Sequence, residues 1–175
     1  GMVLVGGFID KIGLKLGYAL SIFAWSLASI AHAIAKGPFG FGVARAALGL
    51  PEAGNFPAGV KTIAEWFPKK ERALATGIFI SGTNIGAILA PVLVPLIAVT
   101  MGWQWAFILT GAVGFIWLIF WQLMYDSPKN KLAKGKLKQA EYDHIESDKE
   151  DKTTEESTAP FNWFKLLTYK QTWAF

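Results

Sequence analysis

Residues Phe41–Phe67 read FGVARAALGLPEAGNFPAGVKTIAEWF, and the class of the protein turns on them. The stretch is apolar and long enough to cross a bilayer, which takes about 20 helical residues. Yet it carries Arg45 and Glu52. A charge at mid-membrane depth costs at least about 2.5 kcal/mol, so it belongs where it faces a cavity or a partner. At about 100° per residue, their spacing places Arg45 and Glu52 two turns apart on one helix face. Gly49 and Asn55 share that stripe, which is therefore small and polar. Gly42, Ala46, Gly49, Ala53 and Gly54 let neighbouring helices approach closely. Two readings fit: an anion site beside a proton site, or an ion pair that only fixes helix packing. Intramembrane charges are functional by default, which favours the first.

Outward from this segment the apolar runs repeat. Gly1–Ile9 reads as the last turns of a spanning helix, and Asp10–Lys15 (DKIGLK) as a short charged turn. Leu16–Ala35 is an uninterrupted span, followed by a connection at Lys36–Gly40 with Gly37 and Pro38 as breakers. Phe41–Phe67 is the second span, kinked at Pro51 and Pro57, which a membrane helix tolerates. A charged loop at Pro68–Arg72 (PKKER) leads to a third span, Ala73–Val99, and a turn at Thr100–Gly102 to a fourth, Trp103–Tyr125. Trp103, Trp105, Trp117 and Trp121 suit interfacial belts and packing rather than a sugar-stacking platform.

The totals agree with a membrane protein: 53% hydrophobic residues and a mean hydropathy of +0.35. There are no cysteines, which removes disulfides and thiolate metal sites. The two histidines form no ligand pair; His32 reads as a packed, hydrogen-bonded residue. Basic residues gather in the stretches 10–15, 68–72 and 126–138, whereas the other side offers Lys36. The excess of Lys and Arg places the first set in the cytoplasm and alternates correctly across the four spans. The net charge of +4 therefore speaks to topology, not to nucleic acid.

Residues 127–160 are polar and charged, with a short surface helix expected through LKQAEYDHIES and a flexible linker over Glu150–Pro160. The segment Phe161–Phe175 reads as an interfacial approach to another bundle. The short apolar start and the aromatic run at QTWAF lead us to expect an internal piece of a longer protein, and no signal-peptide pattern is read at the start.

GGFIDKIGLK, with Gly6, Asp10, Lys11, Gly13 and Lys15, resembles the signature between the second and third helices of major facilitator transporters. In that family the turn latches the two halves of the protein in one access state. Leu14 stands where a basic residue is common, with Lys15 next. A longer pattern follows: Arg45, Gly49, Glu52, Gly54 and Pro57-Ala58, then Glu65-Trp66-Phe67-Pro68, Glu71-Arg72, Gly77 and Phe79. It continues through Gly82, Gly86, Ala90-Pro91 and Trp103, Trp105 and Phe107. Together these resemble the anion:cation symporter branch, and within it the bacterial hexuronate transporters, over nearly the whole chain except the polar linker.

The resemblance implies an all-α integral membrane fold, part of a twelve-helix architecture: the end of helix 2, helices 3–6, a central cytoplasmic loop and the approach to helix 7. Residues 1–126 would belong to the N-terminal bundle, 127–160 to the loop and 161–175 to the start of the C-terminal bundle, the missing partner of the same chain. It implies proton-coupled symport of a hexuronate, galacturonate or glucuronate, across the bacterial inner membrane, with no enzyme chemistry, no cofactor and H+ as coupling ion. An aldonate, an aldarate or a transporter-like sensor of sugar acids are the alternatives. Glu52 would carry the proton, and Arg45 would pair with it or attract the carboxylate. A carboxyl in a dry cavity holds its proton more tightly and a nearby arginine loosens it, so an anion competing for the arginine would couple the two loads. Thr83 matches a substrate-contacting position and Asn84 stands beside it, on a polar stretch of the third span that also holds Gly77 and Ser81. That stripe serves either a polyhydroxylated ligand or helix packing. Glu65, Glu71 and Arg72 are expected to form a cytoplasmic salt-bridge cluster with the Asp10 turn, for gating.

Overall fold

The computed structural model describes residues 2–147. These form α1 (Met2–Ile12), α2 (Leu14–Ala31) with a 3-10 turn at His32–Ile34, α3 (Gly37–Glu52), α4 (Asn55–Trp66), α5 (Lys69–Met101) and α6 (Trp103–Met124). Two short helices follow, α7 (Pro128–Ala133) and α8 (Gln139–Glu146). The all-α class is the expected one, and the described residues contain no strand. Residues Leu14–Ile34, Lys69–Met101 and Trp103–Met124 are long and apolar enough to cross a membrane.

The expected second span is where sequence and structure part. It is two helices, α3 of 16 residues and α4 of 12, each shorter than a spanning helix needs. Pro51 and Pro57 lack an N–H, so two carbonyls in this region lose their usual donors. The Gly54 N–H turns back instead to the Pro51 carbonyl at 3.1 Å. Ala53 and Gly54 keep right-handed φ values of −61° and −81°, so the break is a tight turn rather than a loop. Close packing holds it there: a Cβ on Gly54 would sit 2.7 Å from Ser21 Oγ and from a Val5 methyl.

Other boundaries shift towards helix. The expected connection at 36–40 is shorter: the chain leaves helix at Ala35–Lys36, Gly37 takes a φ of 66° at the start of α3, and Pro38 occupies its first turn, where a missing N–H costs nothing. The expected turn at 10–15 shrinks around Gly13, whose φ of 87° suits glycine, so Asp10 and Lys11 ride on α1. The expected loop 68–72 is the first turn of α5, broken from α4 only at Phe67–Pro68. In the polar segment α8 matches the expected surface helix, and α7 is an addition. Ser127 Oγ accepts from the Asn130 N–H and Pro128 follows it, a sufficient N-terminal signal. The linker expected over 150–160 and the interfacial segment expected over 161–175 lie outside the described residues.

The bundle is centred on α2, which packs against α6, α3, α1 and α4. Small residues carry these crossings, as expected where lipid tails supply no hydrophobic drive between helices. At Gly114 of α6 a Cβ would lie 2.1 Å from Ser26 Oγ of α2, itself fully buried. Ile9, Leu14, Tyr18, Ala58 and Tyr125 form a core cluster below it. By contrast α5 leans on α6 and α4 and buries no residue completely.

Candidate functional site

Because α5 stands off from α2, a groove of about 760 Å³ opens between α2, the start of α4, α5 and α6. Its walls are apolar, including Trp25, Phe79, Leu93 and Trp117, with Tyr18, Asn55, Thr83 and Thr110 as the polar groups. Tyr18 Oη donates to Asn55 Oδ1 at 2.5 Å, which joins α2 to the first residue of α4. The Thr110 hydroxyl donates within its own helix to the Ala106 carbonyl at 2.7 Å. An apolar cleft with a few placed hydroxyls and an amide is the usual make-up of a small-molecule site.

Thr83 therefore lines a cavity, and Asn84 does not. Successive helical residues point about 100° apart. The groove face of α5 carries Phe79, Gly82, Thr83, Gly86, Ala90, Leu93 and Ile97. Asn84, with Gly77 and Ser81, falls on the opposite stripe, exposed, and Ser81 donates to the Ile78 carbonyl of its own helix. The break at Ala53–Gly54 similarly separates Asn55 from the stripe it was expected to share. Asn55 faces Tyr18, whereas Arg45 and Glu52 stand on α3, exposed and outside the groove. Among the described residues no ion pair joins Arg45 to Glu52. Both charges are thus presented on one helix face, free to meet a ligand or a further helix.

The Major Facilitator Superfamily description matches residues 1–175. The chain belongs to the major facilitator superfamily. It is 36% identical over 170 residues to the galacturonate transporter of Dickeya chrysanthemi, covering 97% of this chain and 48% of that protein. With the hexuronate transporter of Escherichia coli K12 it shares 37% over 170 residues, 97% of this chain and 39% of the relative. With the D-galactonate transporter of Escherichia coli O6:H1 it shares 38% over 141 residues, 80% of this chain and 32% of the relative. The chain thus spans about half or less of the length of these curated relatives.

At the other end of this major facilitator bundle the expected gating residues find partners, but not as one cluster. Asp10 Oδ1 accepts from Lys61 Nζ at 2.6 Å, tying α1 to α4. Gly6 lies under Pro57 of α4, 3.8 Å from where its Cβ would be. Arg72, at the start of α5, reaches back to α4: Nε donates to the Phe67 carbonyl and one terminal nitrogen to the Ala64 carbonyl, both at 3.0 Å. It satisfies carbonyls that a helix end leaves without donors and places a cation at the negative end of the helix dipole. Glu65 Oε2 accepts from Tyr125 Oη at 2.6 Å, and Glu71 meets His144 Nε2 of α8 at 2.9 Å. The Lys15 carbonyl accepts from Trp121 Nε1 at 3.0 Å, Gly13 forms the bend, and Lys11 is exposed on the last turn of α1. Among the described residues no salt bridge joins Asp10 to Arg72; Lys61 of α4 is the cation that Asp10 meets.

Sequence reasoning missed Lys61, Tyr18 and Thr110. Lys61 sits inside an apolar run rather than in a charged loop, although its four-residue offset from Glu65 marks a polar side of α4. Tyr18 is a lone phenol in an apolar helix, and such a group needs a partner when buried. His32 is packed as expected: Nδ1 bonds the Ala28 carbonyl at 2.8 Å and the ring stacks on Phe107 at 4.9 Å.

Proposed function

We propose that this chain is part of a plasma-membrane symporter that carries a hexuronate, such as galacturonate or glucuronate, inward with protons by alternating access. It acts as a transporter rather than as an enzyme. The observation that carries the reading is the likeness to relatives named for galacturonate and hexuronate over 97% of this chain. The charged face of α3 fits that reading. Arg45 offers a fixed cation to a carboxylate, and Glu52, two turns along, is the proton carrier. Thr83, Asn55 and Tyr18 provide donors and acceptors for hydroxyls, and Asn84 serves the same substrate only if α5 rotates. The basic ends at Lys11, Lys15, Lys69, Lys70, Arg72 and Lys129–Lys138 face the cytoplasm. Asp10–Lys61 and the Arg72 contacts then stand at that mouth, where breaking and remaking them gates access.

A second reading, an aldonate as substrate, is favoured by the D-galactonate relative at 38% identity. One experiment separates them: uptake of labelled galacturonate by the whole protein in proteoliposomes, with and without an inward proton gradient. Gradient-driven accumulation that excess glucuronate blocks and galactonate does not supports the uronate reading. Accumulation of galactonate alone removes it and keeps the mechanism. Glu52→Gln should retain substrate exchange and lose gradient-driven accumulation, whereas Arg45→Gln should lose both; loss of exchange in Glu52→Gln would count against the assigned proton role.

A further inference from the structure

Two cavities at the end of α6 share a wall. One, of about 480 Å³, is bounded by Lys15, Lys131, Lys134, Lys136, Asp126 and the last residues of α6. The other, of about 350 Å³, lies beside it between Trp66, Trp117, Phe120 and Trp121. Met124, Tyr125 and Lys131 line both. The first holds four lysines against the carboxylate of Asp126, a local excess of three positive charges. Lys134 is bonded to Asp126, and Lys131 lies over the Trp66 ring, 4.6 Å from its centre. Lys15 and Lys136 complete the rim.

The second cavity is walled by flat rings. Trp117 and Trp121 stack at 5.3 Å, and Trp121 and Tyr125 at 3.9 Å. Leu123 and Met124, 79% and 69% exposed, extend this apolar surface outward beside the lysines. A soluble anion has use for the lysines alone. An amphipathic one uses both halves: a charged group on the lysines and a hydrocarbon chain along the rings. Basic pockets where spanning helices leave the bilayer have the chemistry to hold anionic headgroups.

We propose that this paired cavity binds one anionic phospholipid, its phosphodiester held by Lys15, Lys131 and Lys136 and an acyl chain laid along Trp66, Trp121 and Met124. The site rests on the placement of the α6 end at the membrane surface proposed above, and not on transport. It ties the membrane surface to the polar segment, because α7 carries Lys131 while Lys15 belongs to α2 and Met124 to α6.

The test is native mass spectrometry of the whole protein released from detergent with palmitoyl-oleoyl phosphatidylglycerol or phosphatidylcholine in equal amounts. The wild type should retain the phosphatidylglycerol in preference. Each lysine near a membrane surface contributes roughly fivefold in affinity, so Lys15→Gln/Lys131→Gln/Lys136→Gln should lose on the order of a hundredfold. If that variant does not fold, Lys131→Gln/Lys136→Gln carries the test with a loss of about twenty-fivefold on the same scale. Lys129→Gln/Lys138→Gln, outside both cavities, should bind as the wild type does. Equal retention of the two lipids, equal loss in the control variant, or displacement of phosphatidylglycerol by millimolar inorganic phosphate would each overturn the proposal, the last by making it a free-phosphate site. No substrate enters the measurement, so a failed transport assay leaves its outcome intact.

Discussion

At the scale of single residues, the bundle depends on atoms that have almost no room to move. Gly114 is the clearest case, since a methyl there would meet the Ser26 hydroxyl at 2.1 Å. Overpacking of this kind typically costs about 1–3 kcal/mol. Gly114→Ala should therefore lower the unfolding temperature in detergent, and Gly114→Ala/Ser26→Gly should recover part of the loss by clearing the space. Recovery absent in the double variant would mean that the α2–α6 crossing is looser than described. Tyr18 and Asn55 make a different kind of claim. Their hydrogen bond fixes the first residue of α4 across the groove, and a typical bond contributes about 1 kcal/mol. Tyr18→Phe should cost that much in stability; if the groove takes a hydroxylated ligand, it should also raise KM for uptake more than it lowers kcat. A change in stability alone would make the pair structural.

At the scale of elements, most of the helical layout was legible because its signals are local. The apolar run of α2, the helices α5 and α6 parted at Gly102, and the surface helix α8 follow from length, hydropathy and breakers. The division of Phe41–Phe67 was not, although Pro51 and Pro57 were in view. Whether two prolines kink a helix or end it depends on what satisfies the freed carbonyls and on how closely Gly54 is pressed by Ser21 and Val5, which is tertiary information. Charged turns were placed in loops for a similar reason: lysines and arginines are good helix formers, and only packing shows that PKKER continues into α5. Arg72 then acts as the cap of the preceding helix. Arg72→Lys keeps the charge but cannot bridge the Ala64 and Phe67 carbonyls together, so faster amide exchange in the last turn of α4 is expected in both Arg72→Lys and Arg72→Gln. Farther along, bonds from Lys134, then Asn130, and the Ser127 N–H hold the Asp126 carboxyl down to about 2 from its ordinary 3.8. A lowered carboxyl stabilises the folded form above its unfolded value and loses that contribution as pH falls through the folded one. Amide protection in α7 should hold at pH 5 and decline between about pH 4 and pH 2, with Asp126→Asn showing no such decline.

At the scale of the whole molecule, the candidate site was legible as residue types and not as an arrangement. The Arg45–Glu52 face could be read because helical periodicity alone puts those residues together, and Thr83 because of the resemblance. Asn84 shares its stripe with Gly77 and Ser81 as the spacing predicts, but that stripe faces away from the groove, and the break at Ala53–Gly54 takes Asn55 off the Arg45–Glu52 face. Helix rotation about its axis is set by neighbours that one sequence does not reveal. The contacts at the basic end were expected as one network, and the structure shows pairwise ties: Asp10 to Lys61, Arg72 to the α4 end, Glu65 to Tyr125 and Glu71 to His144. The Asp10–Lys61 pair bears on the gating proposed above. The Asp10 side chain is 66% exposed and that of Lys61 35%, and such a pair contributes roughly 0–1 kcal/mol to stability. A tie that weak can still bias the two access states of the proposed mechanism, because a difference of about 1.4 kcal/mol between them is a tenfold change in their ratio. Asp10→Asn and Lys61→Gln should therefore change the rate of uptake severalfold while shifting the unfolding temperature little. The exchange Asp10→Lys/Lys61→Asp should restore part of the rate, since the attraction survives reversal while any role tied to either residue alone does not. Full loss in the exchanged variant, with folding intact, would move Asp10 from a latch on α4 to a contact with some other part of the protein.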